Sequence, residues 1–472
     1  MSSVEFEAYE ICTGGELGRA SYRIDGASER GFRIERNGVT HLELGPGYRL
    51  LRTEVCGVCS TDLDRHFLPF PLPQIAGHEL IARDSRGCRL APEINATCES
   101  LGRAADCAYC SSGLARHCPS RLVLGIHDLP GGFGPQVLVP EGTLVEVPDS
   151  VPTETAVLIE PLAAAMRAVE RVDLSEMRSV AVLGPKKLGM LVLAALSSER
   201  RMRGGDYTIT AILRRDALRE IALEVGADEV ALLDETDGSL SGTTRGSFDL
   251  VLDTTGSSAG FDTALRLADK ELHLKSTNGQ PAGGLRNATA LVVDELSIER
   301  FDSNRAQGRS LEEGIGWVAG GESPEGRQVV RAKGPLELRE RYPSVAGGSI
   351  LGPELVVVDD LEMADQVIRP SDQDEVPAVR PTGTIAILDG AAGNPTTELE
   401  RAIVERGMRL SSSRCGDFRT SFQRLDEDPE LRRLGELLVT DRMQSGELQA
   451  ALARAREASA LKVLIEHPPA TL

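Results

Sequence analysis

The sequence predicts an α/β protein built from a β-rich domain followed by a doubly wound parallel sheet. Two local patterns and one bulk property say so. Up to about Asp149 the chain is short apolar runs broken by Gly and Pro, such as GYRLLRTEV and PQVLVPEGTLVEVPDSVP, the pattern of short strands joined by turns. From Met177 strand-like and helix-like stretches alternate, and repeated β-α units imply parallel strands, because each crossover helix packs back on the sheet that its strands build. With 472 residues, 41% of them hydrophobic, and 48 glycines dispersed between apolar runs, the chain has material for two or three domains with buried cores.

The alternating region runs in order. SVAVLG is a strand, KKLGMLVLAALSSER has helical spacing, TITAIL is the second strand and DALREIALEVGA the second helix; FDLVLDTTG and AGFDTALRLA repeat the unit. Between about Leu285 and Pro381 the alternation blurs into polar and Gly-rich stretches such as DSNRAQGRSLEEG and RPSDQDEVPAVRP, which reads as an insertion. ELHLKSTNGQPAGGLRNATALVVDELSIERF and GTIAILDGAAGNPTTELERAIVERGMRLSSS share one layout of strand, Gly-containing turn, short helix and strand. Either the second copy completes the sheet and the first begins the insertion, or the reverse. The last stretch, GELLVTDRMQSGELQAALARAREASALKVLIE, reads as helix, helix, strand.

Charge narrows the function classes. Seventy-two acids against 52 bases give a formal charge of −20, a field that repels phosphate backbones and anionic lipid, and no compact Lys/Arg block overrides it; nucleic-acid and membrane binding are not expected. MSSVEFEAYE alternates acids with apolar residues where a secretory leader needs a basic and then an apolar stretch, and no run approaches the roughly 18 apolar residues of a membrane span. The expected setting is cytoplasmic and reducing. Of nine cysteines, Cys98, Cys107, Cys110 and Cys118 crowd into 21 residues, which in a reducing compartment points to thiolate ligands before disulfides. Cys12, Cys88 and Cys415 have no such company.

The chemistry-bearing residues start with Cys56-Gly57-Val58-Cys59-Ser60-Thr61-Asp62-Leu63-Asp64-Arg65-His66, followed by Gly77-His78-Glu79. A thiolate and an imidazole suit zinc, and one carboxylate more would leave the fourth position open for water or substrate. Taken singly, any one of these residues reads better as structure, CGVC as a small buried turn and His78 as a hydrogen-bonded core residue. Further on, Val180 to Gly189 (VAVLGPKKLG) follows a strand and opens a helix, the context of a dinucleotide-binding turn, with Lys186 where the second glycine of Gly-x-Gly-x-x-Gly belongs.

Cys-Ser-Thr-Asp in a CGVC context, GHE about twenty residues later, four spaced cysteines, Ile159-Glu160-Pro161-Leu162-Ala163 and then a βαβ unit occur in this order. The chain resembles the zinc-dependent medium-chain dehydrogenases, the superfamily of alcohol, sorbitol and threonine dehydrogenases, over about residues 40–275 and 383–465. The resemblance implies a GroES-like catalytic domain over residues 1–165, completed by 416–472, and a Rossmann domain over 166–415 with the insertion at about 285–381. It makes Cys59 the thiolate and His78 the imidazole ligand of a catalytic zinc, with Glu79 and Glu160 as carboxylate candidates. Glu160 also reads as a charge at a helix N-terminus, since Pro161 is a good first helical residue. Asp62 would orient His78. Thr61 would touch the substrate oxygen and pass its proton outward; the family's histidine three residues on is Asp64 here, with His66 two residues beyond. Cys98, Cys107, Cys110 and Cys118 would hold a structural zinc, six residues longer between the first two than in the family, within ESLGRAAD.

For the nucleotide, Gly184, Lys186, Lys187, Leu188 and Gly189 form the expected phosphate turn, and Thr254, Thr255 and Gly256 lie where ligands bind at strand carboxyl ends. After TITAIL, Arg214-Arg215 offers no carboxylate for an adenosine ribose but suits a 2′-phosphate, so NADP(H) is preferred to NAD(H); an ordinary solvated basic turn is the alternative. The reading is an oxidoreductase moving a hydride between NADP(H) and a small-molecule alcohol/carbonyl substrate, in a homodimer or homotetramer as relatives commonly are. The competing class is a non-catalytic descendant that kept zinc and fold for binding or assembly, to which Lys186, Asp64 and the insertion point.

Overall fold

The computed structural model describes residues 2–67, 70–234, 240, 244–277, 279–301, 329–331, 352–368, 379–388 and 395–468. They form two compact units, residues 1–163 with 415–472, and residues 164–414. Much of the expected insertion lies outside the described residues.

In the first unit, β1 (Ser2–Ile11), β2 (Leu17–Ala27), β3 (Gly31–Arg36) and β4 (Val39–Leu44) make an antiparallel meander. Along β2 the period of two turns Ala20, Tyr22 and Ile24 inward and their neighbours outward. A seven-stranded sheet positions the chemistry. Its strands are β5 (Tyr48–Gly57), β6 (Glu79–Arg83), β7 (Arg89–Pro92), β10 (Gln136–Pro140), β11 (Leu144–Glu146) and the two late strands Val439–Gln444 and Lys462–Glu466; β8 (Asn95–Ala96) and β9 (Leu122–Val123) form a separate ribbon. On β5, Gly57 faces Glu79 of β6 on one side and Leu464 on the other. Three segments far apart in sequence therefore meet where β5 ends. Val439–Gln444, expected as helix, is a strand parallel to Lys462–Glu466: VTDRMQ alternates half-buried and exposed positions, a period of two that a helix cannot use.

The second unit holds one ten-stranded sheet: β12 (Ser179–Leu183), β13 (Thr208–Leu213), β14 (Glu229–Leu232), β15 (Phe248–Asp253), β16 (Ala268–Leu274), β17 (Ser297–Arg300), β18 (Val329–Arg331), β19 (Leu355–Val358), β20 (Thr384–Ile387) and β21 (Arg409–Ser412). Their spatial order is β14-β13-β12-β15-β16-β21-β17-β20-β19-β18. The first six are mutually parallel, and the order reverses at β12, flanked by β13 and β15. The second of the two look-alike segments completes this set, since β21 lies against β16. What is described of residues 285–381 does not leave the sheet but extends it through β17, β18 and β19.

A buried polar ladder joins β16 to β21. Ser411 Oγ donates to Glu271 Oε1, so it accepts from His273 Nδ1 at 2.7 Å; His273 Nε2, left unprotonated, takes the Ser413 hydroxyl at 2.9 Å. Burial and then the nearby Lys275 ammonium hold His273 well below its usual pKa, hence neutral. Among the described residues no helix is long and apolar enough to cross a membrane.

Candidate active site

The first centre grows from the end of β5. Cys59 precedes a one-turn helix, Ser60–Leu63, whose Asp62 reaches back: Asp62 Oδ2 accepts the Cys59 N–H at 2.8 Å and Oδ1 the Gly77 N–H at 3.1 Å. The same carboxylate, buried, thus ties the loop that carries Cys59 to the one that carries His78. His78 Nδ1 stands 3.4 Å from Asp62 Oδ1, buried and outside hydrogen-bond geometry. Donor atoms of Cys59, His78 and Glu79 all lie within 4.8 Å of one another. Burial by itself lowers the His78 pKa, but the Asp62 carboxylate and the Cys59 sulfur outweigh it and hold the imidazole well above its usual value. A thiol, an imidazole and a carboxylate with donor atoms this close, and a buried His78 Nδ1 without a hydrogen bond, fit a divalent metal such as zinc. Thr61 Oγ1 is 3.6 Å from Cys59 Sγ.

Three further candidates lie outside that group of three. Glu160, in the first turn of the helix Ile159–Glu170, is not in the group of three; it lines a cavity of about 260 Å³ with Glu93, Asn95, Glu99, Arg116 and Phe418. Burial raises the Glu93 pKa there. Asp64 is mostly exposed, 3.6 Å from Arg456, and His66 packs under the turn at Gly15. Arg65 between them is fully buried and donates to the carbonyls of Phe70, Pro71 and Ile126, fixing the chain that follows the helix.

Lys462 is the functional residue that the sequence did not reveal. It is buried, its ammonium paired with Glu79 and 3.4 Å from the Val58 carbonyl. Burial lowers its pKa, while Glu79, Cys59 and Glu160 together raise it above the usual value. Lys462→Met leaves a buried carboxylate without its cation and is expected to lower stability by about 3–5 kcal/mol, read by urea denaturation, whereas Lys462→Arg retains most of it; equal stability of the Met variant and the parent would contradict the pairing.

The second centre is the loop from Thr97 to Cys118. Its six extra residues wind into a turn in which Thr97 and Ser100 exchange hydrogen bonds, followed by the short helix Ala104–Asp106. The four sulfurs then gather within 4.8 Å, with Cys118 Sγ 3.7 Å from Cys98 Sγ and 3.9 Å from Cys107 Sγ. Zinc–sulfur bonds of about 2.3 Å in a tetrahedron set sulfurs about 3.8 Å apart. All nine cysteines are free thiols.

In the second unit, Gly184 closes β12 at φ +72°, and a Cβ there would stand 2.6 Å from Thr255 Cγ2. A Cβ at Gly189 would stand 2.6 Å from Thr254 Oγ1. Thr254 donates to the Leu183 carbonyl at 2.9 Å, and Thr255 donates to Asp253. Only glycine lets the turn and the following helix, Lys187–Arg203, approach β15 so closely. Lys186 caps that helix, with Leu188 and Gly189 in its first turn. Burial, then the neighbouring Arg215 charge, lower the Lys186 pKa. Arg214 and Arg215 are exposed after β13, and Gly256 follows the threonines at φ +63°.

Comparison with known proteins agrees with this geometry. The Alcohol dehydrogenase GroES-like domain family matches residues 45–149. An L-threonine 3-dehydrogenase of Rhizobium johnstonii is 27% identical over 244 residues, 48% of this chain and 64% of the relative; a probable alcohol dehydrogenase of Mycobacterium tuberculosis is 29% identical over 256 residues, 48% and 67%. An uncharacterized zinc-type alcohol dehydrogenase-like protein of Haemophilus influenzae is matched over 45% of its length, so the chain spans between about half and two-thirds of these relatives. Among solved structures, a putative zinc-binding dehydrogenase from Sinorhizobium meliloti bound to NADP shares the fold at 17% identity and TM-score 0.54, covering 99% of this chain and 100% of that one. An alcohol dehydrogenase from Escherichia coli complexed with NADH does so at 15% and 0.58, covering 98% and 99%. With its GroES-like β domain, its parallel Rossmann-like sheet and its ordered ligand motifs, the chain carries an alcohol dehydrogenase GroES-like domain over residues 45–149 and is similar, at 27–29% identity, to zinc-type alcohol and threonine dehydrogenases of the medium-chain superfamily.

Proposed function

We propose that the protein is a zinc-dependent oxidoreductase that moves a hydride between NADP(H) and an alcohol/carbonyl pair. In this reading the unit of residues 1–163 and 415–472 is catalytic and the unit of residues 164–414 binds the dinucleotide. The observation that carries it is the convergence of Cys59, His78 and Glu79 with Asp62 behind the imidazole.

Cys59, His78 and one carboxylate, Glu79 or Glu160, would hold the metal, with the Asp62 carboxylate 3.4 Å from His78 Nδ1, where it can orient the ring. A zinc ion in such a set supplies Lewis acidity that makes a substrate hydroxyl proton easier to remove. Thr61 Oγ1 takes that proton and releases its own toward solvent, where Asp64 and His66 are the candidate outlets. The nicotinamide of a bound dinucleotide supplies the hydride acceptor. Gly184, Lys186, Lys187, Leu188 and Gly189 would cradle the pyrophosphate, with Thr254 and Thr255 packed against the two glycines and Gly256 following them.

The preference for NADP(H) rests on the exposed pair Arg214 and Arg215 after β13, whose guanidinium groups suit a 2′-phosphate. Replacing Arg214 and Arg215 together by alanine is expected to weaken NADPH binding about 10- to 100-fold, the worth of one or two charge-assisted hydrogen bonds, and to leave NADH within about threefold; fluorescence titration reads both. An equal effect on both nucleotides contradicts the preference, and binding of neither by the parent protein favours the non-catalytic class. Metal content of Glu79→Gln and Glu160→Gln separates the two carboxylates.

A further inference from the structure

We propose that residues 275–387 contain an internal replica of four strands of the large sheet, seated in cis on the edge of β21 where a second copy of the chain would otherwise add its own strands. The warrant is register. β21 pairs with β16 through Leu410↔Leu272 and Ser412↔Leu274; β17 pairs with β20 through Ile298↔Ile385 and Arg300↔Ile387. β15 meets β16 through Val251↔Leu272, and β19 meets β20 through Val356↔Ile385. β12 meets β15 through Ala181↔Val251, and β18 meets β19 through Val330↔Val356. Every pairing of β12-β15-β16-β21 thus recurs, position for position, in β18-β19-β20-β17. The helices that lead into the two end strands, Ala288–Val293 and Glu398–Val404, are each followed by a left-handed residue two positions before the strand, Glu295 at φ +53° and Gly407 at φ +71°.

The two sets of four strands meet at β17 and β21, the sole antiparallel step of the described ten-stranded sheet, through Ile298↔Leu410. Those two residues are equivalent positions of the two sets. Self-pairing of one position is the signature of a twofold, isologous contact, here inside a single chain. Without β17, the N–H and C=O groups along one side of β21 would be open to another strand.

After β19 the replica does not repeat the threonine and glycine segment that follows β15. Where β15 is followed by Thr254, Thr255 and Gly256, β19 is followed by Asp359, Asp360 and Leu361, and Asp360 Oδ1 is occupied by the Met363 N–H at 2.7 Å. Two carboxylates and no glycine repel a pyrophosphate.

The test needs no cofactor. In the full-length chain, Ile298→Cys with Leu410→Cys places two thiols directly opposite across an antiparallel pair, within reach of a disulfide. Oxidation is expected to give a bond within one chain, located by peptide mass mapping against the oxidised parent with its nine thiols, and Leu410→Cys alone is expected to give no chain-to-chain link through position 410. Links between chains in either variant would overturn the proposal. Deleting residues 275–387 joins Leu274 to Leu388 at equivalent positions and opens β21: the shortened chain is expected to double its mass in light scattering and, carrying Leu410→Cys, to link to its partner there. A folded but monomeric product would also overturn it; if the shortened chain does not fold, the full-length pair decides alone.

Discussion

Cys59→Ala is expected to remove one of the two metal ions for which the chain has donor groups and to lower turnover at least about 10³-fold, the equivalent of roughly 4 kcal/mol of transition-state stabilisation. Cys59 is the one thiol donor of its set. Without it, His78 and one carboxylate remain, and of the two carboxylate candidates Glu79 is already engaged by Lys462, so two donors compete poorly for an ion that prefers four ligands. Cys59 is only half-buried, and the Asp62 bonds that shape its loop go to backbone N–H groups; the fold is therefore expected to survive, with a circular dichroism melt within a few degrees of the parent. Mass spectrometry of bound metal and steady-state kinetics together check it, and a variant that keeps both ions or full turnover sinks the proposed active site.

Cys110→Ser is expected to act the other way round, on stability first. Burial, and then the nearby Cys118 sulfur, push Cys110 up to about 12, and Cys98 rises to about 11 by the same two influences. Four thiols so placed cannot all ionise in each other's company; a divalent cation among them reverses that balance and deprotonates a coordinating thiol outright. Removing one ligand from a closed four-sulfur site should release the ion and loosen the turn of residues 98–118. We expect a loss of about 3–5 kcal/mol, a fall of roughly 6–20 °C in Tm, and new protease cuts confined to that turn. The Cys59 centre keeps its ion. An unchanged Tm with two ions still bound would show that the four cysteines hold nothing.

How much of this was legible beforehand follows the range of the signals. The CGVC, GHE and four-cysteine motifs are local in sequence, and so is the Gly184 turn; each emerges where its residue pattern placed it because a strand end or a tight loop fixes its neighbours. Lys462 is different. It lies 383 residues from Glu79, in a run, LKVLIE, whose period says only strand, and the one signal available was a lone cation amid buried apolar neighbours. Glu160 illustrates the converse: the Glu-Pro-Leu motif marks a carboxylate at a helix start, but whether it or Glu79 serves as the ligand depends on packing that no motif carries. The look-alike strand–helix–strand segments were visible as a pair, yet nothing local says which of two similar strands lies beside β16, since pairing is decided by a partner elsewhere in the chain. Val439–Gln444 was misread for a simpler reason, its alternation being lost between two helical neighbours.

The hydroxyl ladder on His273 has a bearing on folding fidelity. Two strands of nearly the same make compete for the place next to β16, and the wrong choice would set Glu299 and Phe301 where Ser411 and Ser413 belong. His273 would then lose a donor for its unprotonated nitrogen, at about 1–3 kcal/mol for a stranded buried group, and Glu299 would be drawn into the interior against Glu271. A pair of serines thereby works as the proofreading mark that tells one arm of the chain from its double.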